Sequence, residues 1–370
     1  MKPPLLFVSR KWPPAVGGME TYSVELAKSL DEHYDIKRIV LPGKDNGHTP
    51  GIFSYLVFVL RIMGFCLLYG RRYPRVIFCD LLLFPAALCH WLVSRRSRRV
   101  LVVYGLDLVF HRRSGALPVM YGLYFRTFKK CQGVFSAVVA ISRYTARLAT
   151  DAGLGNVTVI NPCLPNNTLT RHNAGTSEVP RAWTAVGDRK RVLYFGRLIP
   201  RKGSLWFAQS VLPKLRSDAI LFIAGQTPDA SYHMQLEQCA HTHLLGRVDS
   251  DLLAVLIAQA DVVVMPNIAT PDAVDVEGFG LAAVEATSLG GVLLASNIDG
   301  IADAVIDGST GLLVPPGDAV QWATFVDKAL SRPASEVSVF RKHAAATTRT
   351  RYSRASQSAA FVRLLSANPS

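Results

Sequence analysis

The chain lacks several patterns that would assign it to a familiar class. None of its six cysteines forms a Cys-x-x-Cys pair or has a histidine at the spacing of zinc ligands, so neither a zinc site nor a disulfide framework is indicated. No segment repeats with a period of roughly 20–50 residues, which excludes a solenoid. One lysine precedes an N-terminal apolar run of four residues, which is too short for a signal peptide. We therefore expect reduced thiols and a cytoplasmic location.

Acidic residues are scarce in the first half of the chain. Residues 1–180 hold 23 Lys and Arg against 10 Asp and Glu, whereas residues 181–370 hold 18 against 17. The imbalance is concentrated in residues 51–147, with 15 basic and 2 acidic side chains. A one-sided basic surface indicates an anionic partner: nucleic acid, an acidic membrane surface or a phosphorylated substrate. The alternative is a solvated surface that serves solubility alone.

The length of 370 residues and the hydrophobic fraction of 49% are sufficient for two domains. Short apolar strands alternate with helical patterns in both halves, which predicts two doubly wound parallel sheets covered by helices, an α/β fold. Pro165–Asp188 is polar and turn-rich, which is typical of a linker. We predict an N-terminal domain at residues 1–165, a linker at 166–188, a C-terminal domain at 189–350, and a helix at 351–370 that packs back toward the N-terminal domain.

An unusually apolar segment, Ile52–Tyr69, is interrupted only by Ser54, Arg61 and Gly64. Its length would allow it to span a membrane. Arg61 lies near its middle, where a charge costs about 2.5–3.5 kcal/mol on insertion scales, and three arginines follow it closely. An interfacial or acceptor-side helix therefore fits better than a span. A plain buried helix is the other alternative.

Three loops that precede helices could carry chemistry. Gly17 and Gly18 follow the first strand, where a glycine backbone can approach an anion closely. Gly196–Gly203 (GRLIPRKG) brings three cations to a strand end with no acid between them, which predicts a phosphate clamp. Glu277–Glu285 (EGFGLAAVE) places one glutamate on a glycine loop and another in the following helix. Such a loop can hold an anion while the carboxylates bind neighbouring hydroxyls.

Together these motifs resemble those of the retaining glycosyltransferases of family 4, which have the GT-B fold of two Rossmann-like domains facing across a cleft. The resemblance covers nearly the whole chain. It departs from the family pattern at Tyr104, where many relatives carry histidine before Gly-x-Asp, here ending at Asp107. The segments that carry it are GGMET (17–21), VAISRYT (139–145), YFGRLIPRKG (194–203), LFIAGQ (221–226), HLLGRV (243–248), ADVVVMP (260–266), EGFGLAAVE (277–285) and DGSTGLLVPPGD (307–318).

The resemblance implies transfer of a sugar from a nucleotide diphosphate sugar with retention at the anomeric carbon. Arg197 and Lys202 match the pair that binds the diphosphate, and Glu277 matches the carboxylate on the donor sugar. Glu285 matches the carboxylate on the ribose hydroxyls. The other implied residues are the backbone of Phe279, Gly280 and Leu281 beside the sugar, Gly17 and Gly18 over the phosphates, Arg247 and Val248 near the base, and Tyr104 and Asp107 on the acceptor side.

No cofactor and no metal site are expected beyond the nucleotide sugar, because the two cations can replace a divalent ion. The partners that we expect are a lipid-linked glycan acceptor of bacterial surface polysaccharide and an anionic membrane surface. The enzyme would then lie peripherally at the inner face of the cytoplasmic membrane. A soluble enzyme with a small-molecule acceptor is one alternative. A non-catalytic basic protein that binds membrane or nucleic acid is another, although no nucleic-acid-binding motif is present.

Overall fold

The computed structural model describes residues 2–44, 47, 50–165, 178–270 and 275–367. The chain divides into two compact units. The first unit comprises Met1–Cys163 together with Tyr352–Ser370, and the second comprises Leu164–Arg351. Each unit is built around its own parallel sheet, as expected when buried strands alternate with helices.

The first unit contains a six-stranded sheet in the order β2-β1-β3-β4-β5-β6. Every pair of neighbouring strands is parallel. The order in which successive strands are added to the sheet changes direction between β1 and β3. Ligands of open α/β sheets bind at this kind of switch point. The strands are β1 Pro4–Trp12, β2 Asp35–Pro42, β3 Arg75–Phe78, β4 Arg98–Val103, β5 Ala137–Ala140 and β6 Val157–Val159.

Helices cover this sheet and include a segment from the far end of the chain. The terminal helix α15 packs on α1, where Arg354 forms an ion pair with Glu25. Arg75 and Arg98, at the starts of two strands, donate to carbonyls at the end of α15. The helices of this unit are α1 Gly18–Leu30, α2 Ile52–Tyr69, α3 Phe84–Val93, α4 Leu106–Val109, α5 Ala116–Lys130, α6 Arg143–Asp151 and α15 Arg354–Ser366.

The second unit also has a six-stranded parallel sheet, in the order β12-β11-β10-β7-β8-β9. Numbered from β7, this is the 3-2-1-4-5-6 order of dinucleotide-binding sheets, with its switch point between β7 and β10. The strands are β7 Lys190–Phe195, β8 Ala219–Ala224, β9 Thr242–Gly246, β10 Val262–Met265, β11 Leu293–Ser296 and β12 Leu312–Val314.

The helices of the second unit pack around a core that includes Trp322, Phe207 and Tyr194. Trp183, within the segment predicted as a linker, is buried and its indole N–H donates to Gln259 at 2.9 Å. The helices are α7 Arg181–Thr184, α8 Ser204–Trp206, α9 Ala230–Glu237, α10 Ser250–Gln259, α11 Leu281–Ser288, α12 Ile301–Ala304, α13 Ala319–Leu330 and α14 Ala334–Arg351.

The prediction of two doubly wound α/β sheets is confirmed, and the main differences are local. The sequence pattern predicts one helix from Ser204 to Leu215, but the structure has one turn of α8, a π-helical turn at Phe207–Val211 and a 3₁₀ turn at Leu212–Lys214. Pro213, which cannot donate to a helical hydrogen bond, lies in the last turn. The sequence pattern predicts no strand at β9, because the residues of this strand are only partly buried.

Helix α2 is mostly exposed, so the alternative of a plain buried helix is wrong. Only Phe58, Val59, Ile62 and Cys66 are buried, and they pack into the core of the first unit. This helix is long and apolar enough to cross a membrane by composition. One face of the helix packs against the core, and the rest of it is exposed.

We predict that Gly203→Ala is far more destabilising than Gly308→Ala. Both glycines have positive φ, at 73° and 72°, so alanine is strained at either position by about 1–2 kcal/mol. A Cβ on Gly203 would lie 1.8 Å from the Pro266 carbonyl oxygen, whereas a Cβ on Gly308 would meet nothing within 4 Å. Denaturant unfolding should show a loss above about 3 kcal/mol for Gly203→Ala. Equal losses in the two variants would contradict the close approach at Gly203.

Candidate functional site

The turn after β7 is pressed against the chain that follows β10. Gly203 leaves no space for a side chain next to Pro266, and the Ile268 N–H donates to the Arg201 carbonyl at 3.0 Å. Because β7 and β10 flank the switch point, these contacts bring the cationic turn to the edge where parallel sheets bind ligands. The local fold therefore places Arg201 and Lys202 beside the loop that follows β10.

Glu277 is the centre of this arrangement. Its Oε2 atom accepts from Arg201 Nη1 at 2.9 Å and from Lys202 Nζ. Asn267 lies farther away, with its Nδ2 at 3.4 Å. No acid lies between the three cations in the sequence, but in the structure a glutamate from a distant part of the chain binds two of them. Arg197 is exposed on the same turn, and its carbonyl accepts from the Tyr194 hydroxyl.

The backbone of Glu277 is held from the other side by the turn after β11. Its N–H donates to Asp299 Oδ2 at 3.1 Å, and its carbonyl accepts from the Gly300 N–H at 2.8 Å. Asp299 adopts a positive φ of 50°, and a Cβ on Gly300 would lie 2.1 Å from the Gly278 carbonyl oxygen. Strain of this kind persists only where the surroundings impose it. The Glu277 loop is therefore fixed by two neighbouring turns.

The electrostatic environment keeps Glu277 ionised. Burial alone would raise the pKa of its carboxyl, but the charges of Lys202 and Arg201 outweigh that effect and lower the pKa from 4.5 to about 2. The side chains of these three residues are 15%, 16% and 5% exposed, respectively. A buried carboxylate of this kind is tolerated because it is paired and hydrogen-bonded.

The other residues of the second unit that the sequence predicts on the donor side lie on the loop and helix after Glu277 and at the end of β9. The Phe279 side chain is buried, and Gly280, with a φ of 92°, precedes α11, which begins at Leu281. Glu285 is half-buried on that helix. Arg247 and Val248 follow β9, at the edge of the sheet, where Arg247 is exposed and Val248 half-buried.

In the first unit, the turn after β1 carries the predicted glycine pair. Gly17 is extended, and its carbonyl accepts from the N–H and hydroxyl of Thr21 as α1 begins at Gly18. Sequence reasoning missed an ion pair at the same switch point, between Arg10 Nε and Asp80 Oδ2 at 2.6 Å. The position of Asp80 directly after β3 could have indicated it.

Tyr104 and Asp107, predicted on the acceptor side, form part of one turn. The Asp107 carboxylate accepts from the N–H groups of Tyr104 and Gly105 at 3.0 and 2.9 Å. Burial and the neighbouring Asp80 raise the pKa of Asp107 to about 7. The Tyr104 ring is 5% exposed and packs edge-on against Tyr22. The structure gives Asp107 a role in shaping this turn.

An Asp-x-Asp triplet, which could bind a divalent ion, occurs at Asp249–Asp251 and was overlooked in the sequence. In the structure Asp249 caps α10, since its carboxylate accepts from the N–H groups of Asp251 and Leu252 at 2.9 and 2.8 Å. Within the described ranges, no group of three or more His, Cys, Asp or Glu could hold a metal ion.

Comparison with known proteins finds a family match in the second unit. Residues 189–332 match the model of the family described as Glycosyl transferases group 1. The matched segment contains the Arg201–Lys202–Glu277 cluster and the helix that carries Glu285.

Sequence relatives match the chain only in part. The chain is 35% identical over 168 residues to a glycogen synthase of Mycobacterium tuberculosis, a match covering 41% of this chain and 38% of that protein. It is 32% identical over 158 residues to a GDP-mannose-dependent alpha-(1-6)-phosphatidylinositol monomannoside mannosyltransferase of Mycolicibacterium smegmatis, covering 40% of each. The matches thus span about two fifths of the length of these curated relatives.

Structural relatives cover the whole fold. HepE of Anabaena, solved with UDP and glucose, superposes with a TM-score of 0.71 at 18% identity over 98% of this chain and 99% of that one. Sucrose-phosphate synthase from Thermosynechococcus elongatus gives a TM-score of 0.74 at 18% identity, over 98% and 99% of the two chains. The predicted GT-B fold with two Rossmann-like domains is confirmed.

We predict that Glu277 contributes stability that is lost in acid. Its lowered pKa means that the contribution is complete above the ordinary value of 4.5 and disappears as the pH falls through about 2. Glu277→Gln should therefore be less stable than the wild type near neutral pH, by an amount on the order of 3 kcal/mol, and the gap should narrow toward low pH. Denaturant unfolding at a series of pH values measures this difference in the free energy of unfolding.

The matched control is Glu336→Gln on α14, where the carboxylate is exposed. Its stability should follow that of the wild type at every pH. A gap between wild type and Glu277→Gln that stays constant with pH would show that Glu277 does not carry the acid-sensitive contribution.

Proposed function

We propose that the protein is a retaining glycosyltransferase that moves a sugar from a nucleotide diphosphate sugar to a lipid-linked glycan acceptor. The observation that carries the proposal is the cationic turn after β7 placed against Glu277 at the switch point of the second sheet. Cations at this edge suit a diphosphate, and an adjacent carboxylate suits sugar hydroxyls. The domain match over residues 189–332 supports the same donor class.

The reaction breaks the bond between the anomeric carbon and the diphosphate oxygen. A hydroxyl of the acceptor forms the new bond on the same face of the sugar, and its proton passes to the leaving diphosphate. The main task of the protein is to stabilise the negative charge that develops on that leaving group. Arg197 and Lys202 do this. Arg197 is exposed on the turn after β7, and the side chain of Lys202 is partly exposed on the same turn.

The remaining residues bind the rest of the donor. Glu277 accepts from the sugar hydroxyls, beside the backbone of the loop at residues 279–281. Glu285 accepts from the ribose hydroxyls. Arg247 and Val248 contact the base. Tyr104 and Asp107 shape the acceptor side of the first unit.

We predict that Arg197→Ala and Lys202→Ala each reduce turnover about 10²–10³-fold without unfolding the protein, the loss expected for one donor to a developing anion. Steady-state transfer from the correct nucleotide sugar, found by a thermal-shift panel, is the measurement. Activity should persist in excess chelator, because these two cations take the place of a metal ion.

The control for charge alone is Lys328→Ala, which removes a cation from α13 of the same unit and should leave turnover unchanged. Near-normal rates in Arg197→Ala or Lys202→Ala would remove that residue from the diphosphate site. Complete loss of activity on chelation, reversed by magnesium or manganese, would overturn the metal-independent mechanism.

The membrane part of the proposal depends on α2. Large apolar side chains are exposed along its whole length, including Phe53 at 76%, Leu60 at 66% and Leu68 at 77%. Leu117, Met120 and Leu123 are also exposed, on α5 of the same unit. Exposed apolar faces of this extent mark an interaction surface. A helix with one face in the core and the rest exposed can lie along a bilayer surface.

Part of the basic excess is used inside the fold. The Arg99 guanidinium is buried and donates to three backbone carbonyls, and Arg75 and Arg98 hold the end of α15. Exposed cations that remain near the apolar helices are Arg61, Arg71, Arg72, Arg112, Arg126, Lys129 and Lys130. Each such cation near an anionic bilayer contributes roughly 1 kcal/mol.

We predict that the protein floats with vesicles that contain anionic lipid and that binding falls as salt rises. Leu60→Glu and Leu68→Glu should each weaken binding severalfold, because they place a carboxylate on the apolar face. The matched controls are Val320→Glu and Val339→Glu in the second unit, where valines are 65% and 70% exposed. Equal binding by all four variants, or no binding at low salt, would contradict membrane docking through α2.

The acceptor assignment follows from this surface. A lipid-linked acceptor presents its glycan at the membrane, where α2 would hold the first unit. One partial relative is named for transfer to a phosphatidylinositol mannoside, so this domain type occurs with lipid acceptors. We propose synthesis of a bacterial surface polysaccharide, such as lipopolysaccharide O-antigen or capsule, at the cytoplasmic face of the membrane. A soluble enzyme with a small-molecule acceptor would instead stay unbound in the vesicle assay.

A further inference from the structure

Glu277 receives more donors than one carboxylate oxygen can serve well. Arg201 Nη1, Lys202 Nζ and Asn267 Nδ2 are all directed at Oε2. A carboxylate oxygen offers two lone pairs, so one donor can leave without exposing the oxygen. The arrangement is therefore suited to an exchange of partners at Glu277.

The two cations differ in how firmly they are held. Arg201 is 5% exposed; its Nη1 donates to Glu277, and its Nε lies 3.3 Å from Asp275 Oδ1, a charge contact without a hydrogen bond. Its backbone carbonyl is fixed by the Ile268 N–H. Lys202 has the larger exposure, 16%, and pairs with Glu277. A guanidinium fork is rigid and bidentate, whereas an ammonium is a point charge on a flexible stem.

We propose that Arg201 is the positioning residue that keeps Glu277 oriented and ionised while Lys202 passes from Glu277 to the donor diphosphate. The inference rests on the proposed function, because it assumes that Lys202 binds the diphosphate. It assigns different roles to two adjacent cations of the motif at residues 194–203. Lys202 changes its partner when the donor binds, whereas Arg201 stays paired with Glu277.

Charge balance explains why a second cation is needed. In the structure, Arg201 and Lys202 face the carboxylates of Asp275 and Glu277, and Asp299 also acts electrostatically on Arg201. When Lys202 turns to the diphosphate, Glu277 is left partly buried near an added anion, which favours protonation of its carboxyl. Arg201 opposes this effect. Glu277 therefore stays available as an acceptor for sugar hydroxyls.

The first test measures binding of UDP, GDP and ADP by calorimetry, with no acceptor present. Lys202→Gln should weaken binding of the preferred diphosphate at least tenfold, whereas Arg201→Gln should change it less than threefold. Equal weakening in the two variants would overturn the proposal and make Arg201 a member of the clamp. If no diphosphate binds the wild-type protein, the proposed function fails, and this result is distinct from failure of the division of roles.

The second test uses the pH profile of turnover at saturating donor. Arg201→Gln should lower turnover at least tenfold near neutral pH and shift the acidic limb upward by a unit or more, because Glu277 then gains a proton more readily. Arg201→Lys should restore the position of that limb in part. A structural role alone would lower the amount of folded protein without moving the limb, so an unmoved limb overturns the proposal.

Arg201→Gln could fail to fold, since it removes a buried cation that contacts two carboxylates. Asp275→Asn then replaces it, because it removes one anchor of Arg201 and retains the guanidinium. The expected result is a smaller fall in turnover with unchanged diphosphate binding. Unchanged turnover in Asp275→Asn together with an unmoved acidic limb in Arg201→Lys would overturn the positioning role.

Discussion

The architecture of the candidate site depends on one steric constraint, the contact between the turn after β7 and the chain after β10. Gly203 allows the backbone to approach the Pro266 carbonyl without a side chain between them. That approach brings the cations of one turn to a carboxylate more than seventy residues away in sequence. The ion pairs and the lowered pKa of Glu277 follow from it, while the turn after β11 also holds the Glu277 loop. A switch point provides the crevice, and this contact determines which charges line it.

Prediction from the sequence succeeded where periodicity and local motifs carry the information. Alternation of apolar strands and helices predicted both sheets, and the glycine-bounded motifs predicted the turns that hold Lys202 and Glu277. Prediction failed where the outcome depends on contacts between residues that are far apart in sequence. Nothing local to residues 196–203 shows that Glu277 neutralises two of the cations there. The partly buried strand β9 lacks the apolar alternation that identifies a strand, and the ion pair of Arg10 with Asp80 joins a residue of β1 to one that follows β3.

The basic excess of the first half illustrates why composition does not identify a surface. Arg75, Arg98 and Arg99 contribute to the net charge but donate to backbone carbonyls of the same unit. Carbonyls at the end of a helix are partial negative charges, so an arginine there stabilises the fold. The apolar residues of α2 show the converse, since only four of them enter the core. A membrane hypothesis therefore has to rest on exposed residues and not on the count of charges.

The position of α15 has a consequence for the order in which the chain can acquire its structure. Phe361 is fully buried in the first unit, and Arg354 pairs with Glu25 on α1, yet the entire second unit intervenes in sequence. During synthesis on the ribosome, domains generally form as units from the N-terminus. Here the second unit has all of its residues before the first has its last helix. The first unit therefore keeps an exposed face until α15 has been translated and packs on it.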